Sequence, residues 1–202
     1  MMDKAISESN TQVERKDACL AFMRQAHQIL DQEGSSPSAL HELKLALAGL
    51  AERTELFPAS DFPMPVAEAR FHSLVVEPDD GLALHLIISM PGKISNPHAH
   101  GIWCINASIT GRERNVYWRR TDDAQKPGYA TLARIGEMVM ERGHGFAMGD
   151  LDIHSQEVLG DEPSIILALY GHAFERFPSI SWYNAEFSSV RKMPSRRGLE
   201  VA

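Results

Sequence analysis

Two histidines in the middle of the chain have the spacing of a metal-binding pair. His98 and His100 are one residue apart, and they follow a turn that contains Gly92 and Pro97. Residues two apart in a β-strand point to the same face, so both imidazoles would enter one cavity side by side. Neutral imidazole binds Fe, Zn, Cu or Ni. The pair therefore predicts a transition-metal site and leaves the metal open.

The segments around this pair read as short β-strands. Apolar or alternating runs separated by Gly, Pro and Asp-rich turns recur through residues 69–76, 82–90, 116–118, 130–140, 145–151 and 165–170. Many short strands with turn signals every 8 to 12 residues are typical of a sandwich or barrel. The sequence therefore predicts a mainly β fold, in which strands position the histidines.

The first quarter of the chain has a helical pattern instead. Thr11 to Glu14 fits a capping box, which predicts a helix over residues 11–33, and Ser36-Pro37 predicts a second one that ends near Leu56. We expect residues 1–60 to form a helical cap that covers an open face or edge of the sheet. Residues 61–202 would then form the barrel with a C-terminal tail.

Composition limits the partners and the compartment. The net charge of −7 and the pI near 5.7 argue against nucleic acid, which requires a basic surface. The apolar run 82–90 is too short to span a bilayer, the N-terminus lacks a signal-peptide core, and two cysteines are too few for a disulfide framework. We expect a cytoplasmic protein with no membrane or nucleic-acid partner, acting on a small molecule. The oligomeric state is left open.

The His pair also lies in a longer motif. Gly92, His98, His100 and Gly111 fit the first motif of the cupin superfamily, G-x5-H-x-H-x3-E-x6-G, with Cys104 at the position of the usual glutamate. In this the chain resembles the cysteine dioxygenase and 3-mercaptopropionate dioxygenase (thiol dioxygenase) family, whose members bind iron through three histidines. The resemblance covers roughly residues 69–175. It implies a double-stranded β-helix, or jelly-roll barrel, with an N-terminal α-helical cap.

The resemblance also supplies a third ligand. The second cupin motif, G-x5-P-x-G-x2-H-x3-N, starts at Gly143 and places its histidine at His154, although Gly149, Leu151 and Val158 replace the motif's Pro, Gly and Asn. It implies that His98, His100 and His154 hold one Fe(II), with another divalent metal such as Ni or Zn as an alternative. His72 and His85 lie on predicted strands, and either could face the cavity.

The implied reaction is the oxidation of a small mercapto-acid, of the cysteine or 3-mercaptopropionate type, to its sulfinate with O2. Family members hold the substrate carboxylate with an arginine early in the first barrel strand, which Arg70 matches here. A planar guanidinium suits bidentate capture of a carboxylate. The alternative for Arg70 is a surface or packing role.

A tyrosine and a cysteine complete the implied site. The family has a Ser-x-His-x-Tyr run whose tyrosine reaches the substrate; here the matching residues are Ile166, Ala168 and Tyr170, so the tyrosine lacks its usual partners. We therefore expect a less firmly oriented Tyr170 and a shifted substrate preference. Cys104 stands where some members join a cysteine to that tyrosine by a thioether. We favour a small buried strand residue instead, with the link absent or partial.

Two other functions fit the same residues. One is a metal-dependent cupin enzyme acting on a non-thiol substrate, which would bind metal without thiol-dependent oxygen uptake. The other is a non-catalytic cupin that binds a small ligand, which would show low metal occupancy.

Overall fold

The computed structural model describes residues 9–78, 81–172, 179–193 and 200–201. Helices α1 (Asn10–Glu33) and α2 (Pro37–Ala51) come first, followed by single 3-10 turns at Thr54–Leu56 and Ala59–Asp61. Within the described ranges twelve strands follow: β1 (Ala69–Val76), β2 (Ala83–Ser89), β3 (His98–Ala99), β4 (Cys104–Thr110), β5 (Glu113–Arg120), β6 (Leu132–Met140), β7 (Gly145–Met148), β8 (Ile153–Val158), β9 (Ser164–Tyr170), β10 (Ile180–Asn184), β11 (Ser189–Met193) and β12 (Glu200–Val201).

These strands form two six-stranded sheets. The first has the order β12-β1-β2-β9-β4-β7, and the second has the order β11-β10-β3-β8-β5-β6. Their pairs are antiparallel apart from β1 with β12. Non-consecutive strands are neighbours in both sheets, as the crossing connections of a jelly roll require. The predicted fold class is therefore confirmed: a mainly β double-stranded β-helix, or jelly roll, with an N-terminal helical region.

The helix ends differ from the predicted ones. Ser9 caps α1: its hydroxyl accepts a hydrogen bond from the Gln12 N–H, and the Gln12 side chain accepts one from the Ser9 N–H. The capping box predicted at Thr11 was wrong, because two overlapping stretches fit the same motif and only the first is used. Helix α2 begins as predicted after Ser36 but ends at Ala51, before the 3-10 turn that contains Leu56.

The helices cover the outer face of the first sheet. Helix α2 contacts β4, β7 and β9, and its Leu43 and Leu47 are fully buried. One apolar cluster contains these side chains together with outward-facing residues of the sheet such as Leu86, Ile105 and Leu167. Apolar stripes of this kind stabilise a helix mainly through packing. The helices and the first sheet therefore share one core.

The barrel interior holds a second cluster, built by alternate residues of the same strands. Ile166, Ala168 and Tyr170 of β9 face it together with Cys104 and Phe146. Strands β10 and β11 extend the second sheet next to β3, where the sequence predicted only a tail. Residues 173–178 and 194–199 of that predicted tail lie outside the described residues. No helix in the described ranges is long and apolar enough to cross a membrane.

Candidate metal centre and cavity

Three buried histidines meet inside the barrel. His98 on β3 and His154 on β8 are Cα partners across the two strands, and His100 follows directly after β3. One ring nitrogen of each histidine lies within 4.8 Å of the others, and the ring centroids are 4.5 to 5.2 Å apart. In the described part of the chain, no carboxylate belongs to this group. The residues of the two sequence motifs are thus brought together as one cluster that could hold a metal ion.

Neighbouring acceptors fix the orientation of two of these rings. His98 Nδ1–H donates to the carbonyl oxygen of Asn96 at 2.9 Å, and His154 Nδ1–H donates to Asn115 Oδ1 at 3.3 Å. Each bond leaves Nε2 as the nitrogen with a lone pair. The buried Nε2 of His154 has no hydrogen-bond partner among the described residues. A buried polar atom without a partner is costly, so this donor set fits a bound metal ion.

Burial also keeps the three imidazoles neutral. It lowers the pKa of His98 to about 4, and it lowers the pKa values of His100 and His154 well below their ordinary value. The neighbouring histidines lower the pKa of His100 and of His154 further. Only the neutral ring has a lone pair for a metal, so the cluster has the form that binds one.

An aromatic side chain from the C-terminal part of the barrel supports His98. Trp182 on β10 is the Cα partner of His98, and the two rings stack with centroids 4.5 Å apart and planes at 26°. This stacking restricts rotation of the imidazole. The sequence analysis did not identify Trp182 or Asn115 as site residues. The aromatic run after residue 174 was a signal that could have indicated Trp182.

A cavity of about 310 Å³ lies beside the cluster. His98, His100 and Tyr170 line it, and so do Lys93 and Glu113. Apolar side chains, among them Phe71, Ile87 and Ile166, form further parts of the wall. A cavity of this size, whose lining combines polar and apolar side chains, suits a small polar ligand.

Tyr170 is buried and lines this cavity. Its ring centroid lies 5.7 Å from that of His100, and burial raises its pKa well above the ordinary value, so the phenol stays protonated. A histidine also lies next to it: His85 on β2 is the Cα partner of Ala168, and its ring centroid is 6.0 Å from that of Tyr170. Ser73 Oγ of β1 lies 3.4 Å from His85 Nδ1.

The histidine next to Tyr170 thus comes from β2, and the serine near that histidine comes from β1, whereas Ile166 and Ala168 stand on β9 at the positions matched in the sequence. Sequence reasoning could not find this grouping, because it searched along one strand and the grouping depends on strand register. Of the two histidines left open, His85 faces the interior. His72 faces the other side of the sheet, where Nε2–H donates to the Pro63 carbonyl at 3.0 Å.

Cys104 lies directly across from Tyr170. The two residues are Cα partners on β4 and β9, and Cys104 Sγ is 3.3 Å from His100 Nδ1. Burial raises the pKa of the Cys104 thiol far above its ordinary value, with Asp152 adding to the effect. The two candidate crosslink residues are therefore neighbours, and the thioether itself stays a prediction.

Arg70 is not brought to this cavity. Its neighbours on β1, Ala69 and Phe71, line the cavity, and side chains alternate along a strand, so Arg70 points to the opposite face. There Nη1 donates to the Met64 carbonyl at 3.3 Å. The residue matched the family position in sequence but has the wrong phase in the strand to contact a ligand at the histidines.

Comparisons with known proteins assign no family to this chain. No protein-family model and no curated protein matches it. Similar solved structures include oxalate oxidase in complex with the substrate analogue glycolate (16% identity, TM-score 0.42, covering 58% of this chain and 56% of that chain), the cupin domain of Schizosaccharomyces pombe Cnp3 (11%, 0.43, 57% and 72%) and KdgF from Halomonas sp. (13%, 0.42, 58% and 94%). The chain matches about half the length of the oxalate oxidase structure.

Proposed function

We propose that this chain is a mononuclear non-haem iron thiol dioxygenase, which oxidises a small mercapto-acid to its sulfinate with O2. The observation that supports this proposal is the cluster of His98, His100 and His154, which are buried at one cavity with no carboxylate in the group among the described residues. Three protein donors leave coordination positions for other ligands. In the overall reaction both oxygen atoms are added to the thiol sulfur, so no external reductant is required.

When bound, Fe(II) would lower the pKa of the substrate thiol and hold it next to O2. The chain's own residues would orient and enclose the reactants. Asn96 and Asn115 hold two imidazoles in the metal-binding tautomer, and the apolar part of the wall would contact the carbon chain of the substrate. Tyr170 keeps its proton and would donate a hydrogen bond to the bound substrate.

Oxygen consumption by the iron-loaded protein tests the proposal. We expect uptake with cysteine or 3-mercaptopropionate and none with thiol-free acids, with one O2 consumed per sulfinate detected by mass spectrometry. Cysteamine, which lacks the acid, should be a poorer substrate. Bound metal without thiol-dependent uptake would favour a cupin enzyme acting on a non-thiol substrate, and protein that retains no metal would favour a non-catalytic ligand-binding cupin.

A further inference from the structure

The side chain of Lys93 enters the cavity from the turn between β2 and β3. Its backbone is fixed at both ends, because the Lys93 N–H donates to the Met90 carbonyl at 3.1 Å and the Val158 N–H donates to the Lys93 carbonyl at 2.9 Å. The half-buried side chain lines the cavity, and Nζ donates to Ser89 Oγ at 3.1 Å. The ammonium group is therefore held on the cavity wall by a fixed backbone and one hydrogen bond.

The ammonium group of Lys93 has more N–H donors than hydrogen-bond partners among the described residues. A lysine has three N–H donors, and Ser89 Oγ is the one hydrogen-bond partner of Nζ among the described residues. Burial lowers the pKa of Lys93, and the side chains of Glu113 and Glu68, which also line the cavity, raise it in part; the described residues provide no ion-pair partner within 4.0 Å. Two N–H donors of a positive charge can thus contact a ligand in the cavity.

Lys93 is also the single lysine or arginine among the described residues that line the cavity. Arg70, which the sequence predicted for this role, lies on the opposite face of β1. A carboxylate that enters the cavity therefore has one cationic side chain to bind. Charge-assisted hydrogen bonds of this type are stronger than neutral ones.

Strand β8 determines the distance between the Lys93 backbone and the histidine cluster. His154 of β8 pairs with His98, whereas Val158 of the same strand bonds to the Lys93 backbone. These positions are four residues apart, which is about 13 Å along a strand. The flexible lysine stem spans part of that interval. The remaining gap suits a short ligand with a metal-binding atom at one end and an acid at the other.

We propose that Lys93 binds the carboxylate of an anionic substrate and so determines the specificity of the cavity for acids. The inference rests on the proposed function only in identifying the other end of the ligand as the thiol. It replaces the arginine of the resembled family by a lysine from a different element.

Equilibrium binding without turnover tests this assignment. The iron-loaded protein is titrated by calorimetry under exclusion of O2 with 3-mercaptopropionate and with its neutral amide, 3-mercaptopropionamide. Lys93→Met removes the charge at nearly constant volume, Lys93→Arg keeps it, and Lys16→Met is a matched control at an exposed helix position. Thermal unfolding of each variant checks the fold.

We expect Lys93→Met to weaken binding of the acid by roughly tenfold or more and to leave the amide unchanged. Lys93→Arg should retain a preference for the acid, and Lys16→Met should behave as the unmodified protein. Unchanged acid binding in Lys93→Met, an equal loss for acid and amide, or an unmodified protein that binds neither ligand would overturn the assignment.

Activity separates this inference from the proposed function. Acid binding that depends on Lys93, without any O2 uptake, would overturn the thiol dioxygenase reaction and leave the anion site in place. Sulfinate formation by Lys93→Met with an unchanged KM would overturn the anion site and leave the reaction in place.

Discussion

Each imidazole of the cluster depends on a small number of neighbours for its orientation. Asn96 and Asn115 accept from the Nδ1–H groups of His98 and His154, Trp182 stacks on His98, and Cys104 Sγ lies next to His100 Nδ1. The two hydrogen-bond acceptors fix which ring nitrogen faces the metal, and losing an acceptor of this kind commonly lowers metal affinity by about 10 to 100-fold. At the scale of single residues, the site is therefore a set of oriented donors rather than three histidines alone.

Replacing a ligand should remove the metal. In His154→Ala the buried Nε2 that lacks a partner is lost, so we expect most bound iron and essentially all thiol-dependent oxygen uptake to disappear, as measured by metal analysis after dialysis. His98→Ala and His100→Ala should give the same result. His144→Ala is the control, because His144 is an exposed loop residue outside the cluster, and its iron content should not change. Full iron occupancy in His154→Ala would mean that another residue supplies the third donor.

Strand phase and strand register decide which side chains meet at the cavity. The spacing of His98 and His100 is local, so the sequence could predict that they share a face, and motif spacing could add His154. Arg70 could not be placed, because moving a strand by one residue exchanges its two faces. The positions of Lys93 at the cavity and of His85 beside Tyr170 could not be assigned either, since they follow from pairing between elements far apart in the chain.

Strand register brings Cys104 and Tyr170 next to each other, and the question is whether a thioether forms between them. Directly opposed residues in a sheet have Cβ atoms about 4.5 to 5.5 Å apart, so the sulfur and the ring are within reach of each other. The thiol is protonated and lies next to His100, and His85 packs near the tyrosine ring. We still expect the thioether to be absent or partial after exposure to iron, thiol and O2.

Intact-protein mass would measure the link as a loss of about two hydrogens. An unchanged mass or a partial loss is the expected result, and an unchanged mass with normal activity in Cys104→Ala assigns Cys104 to packing. A quantitative mass loss that disappears in Cys104→Ala would contradict it. Tyr170→Phe, which also cannot form a phenol thioether, is the second control for that outcome.

At the scale of the whole molecule, one apolar cluster of the described residues lies on each side of the first sheet. Helices α1 and α2 contribute to the cluster on the outer face, and the barrel interior holds the other. Leu43 and Leu47 of α2 are fully buried against that sheet, whose inner face carries Tyr170 and Cys104. The predicted division into residues 1–60 and 61–202 separates helices from strands. Because the helices and the first sheet share a core, we expect the two parts to unfold together.

Two spectroscopic probes can separate these possibilities. Helical circular dichroism reports mainly on α1 and α2, whereas tryptophan fluorescence reports on the barrel, because all three tryptophans, Trp103, Trp118 and Trp182, follow residue 60. A single cooperative unit gives coincident transitions by both probes. We expect coincidence in the unmodified protein.

A substitution in the helix should then destabilise the barrel equally. Leu43→Ala removes a fully buried side chain, and such changes cost about 2 to 5 kcal/mol, or roughly 4 to 20 °C in Tm for a chain of this size. Leu45→Ala, on the exposed side of the same helix at 58% exposure, should have little effect. In Leu43→Ala we expect the dichroism and fluorescence transitions to move down together. A shift of the dichroism transition alone would show that residues 1–60 unfold as a separate domain, and that the shared cluster does not couple the helices to the strands that carry the site.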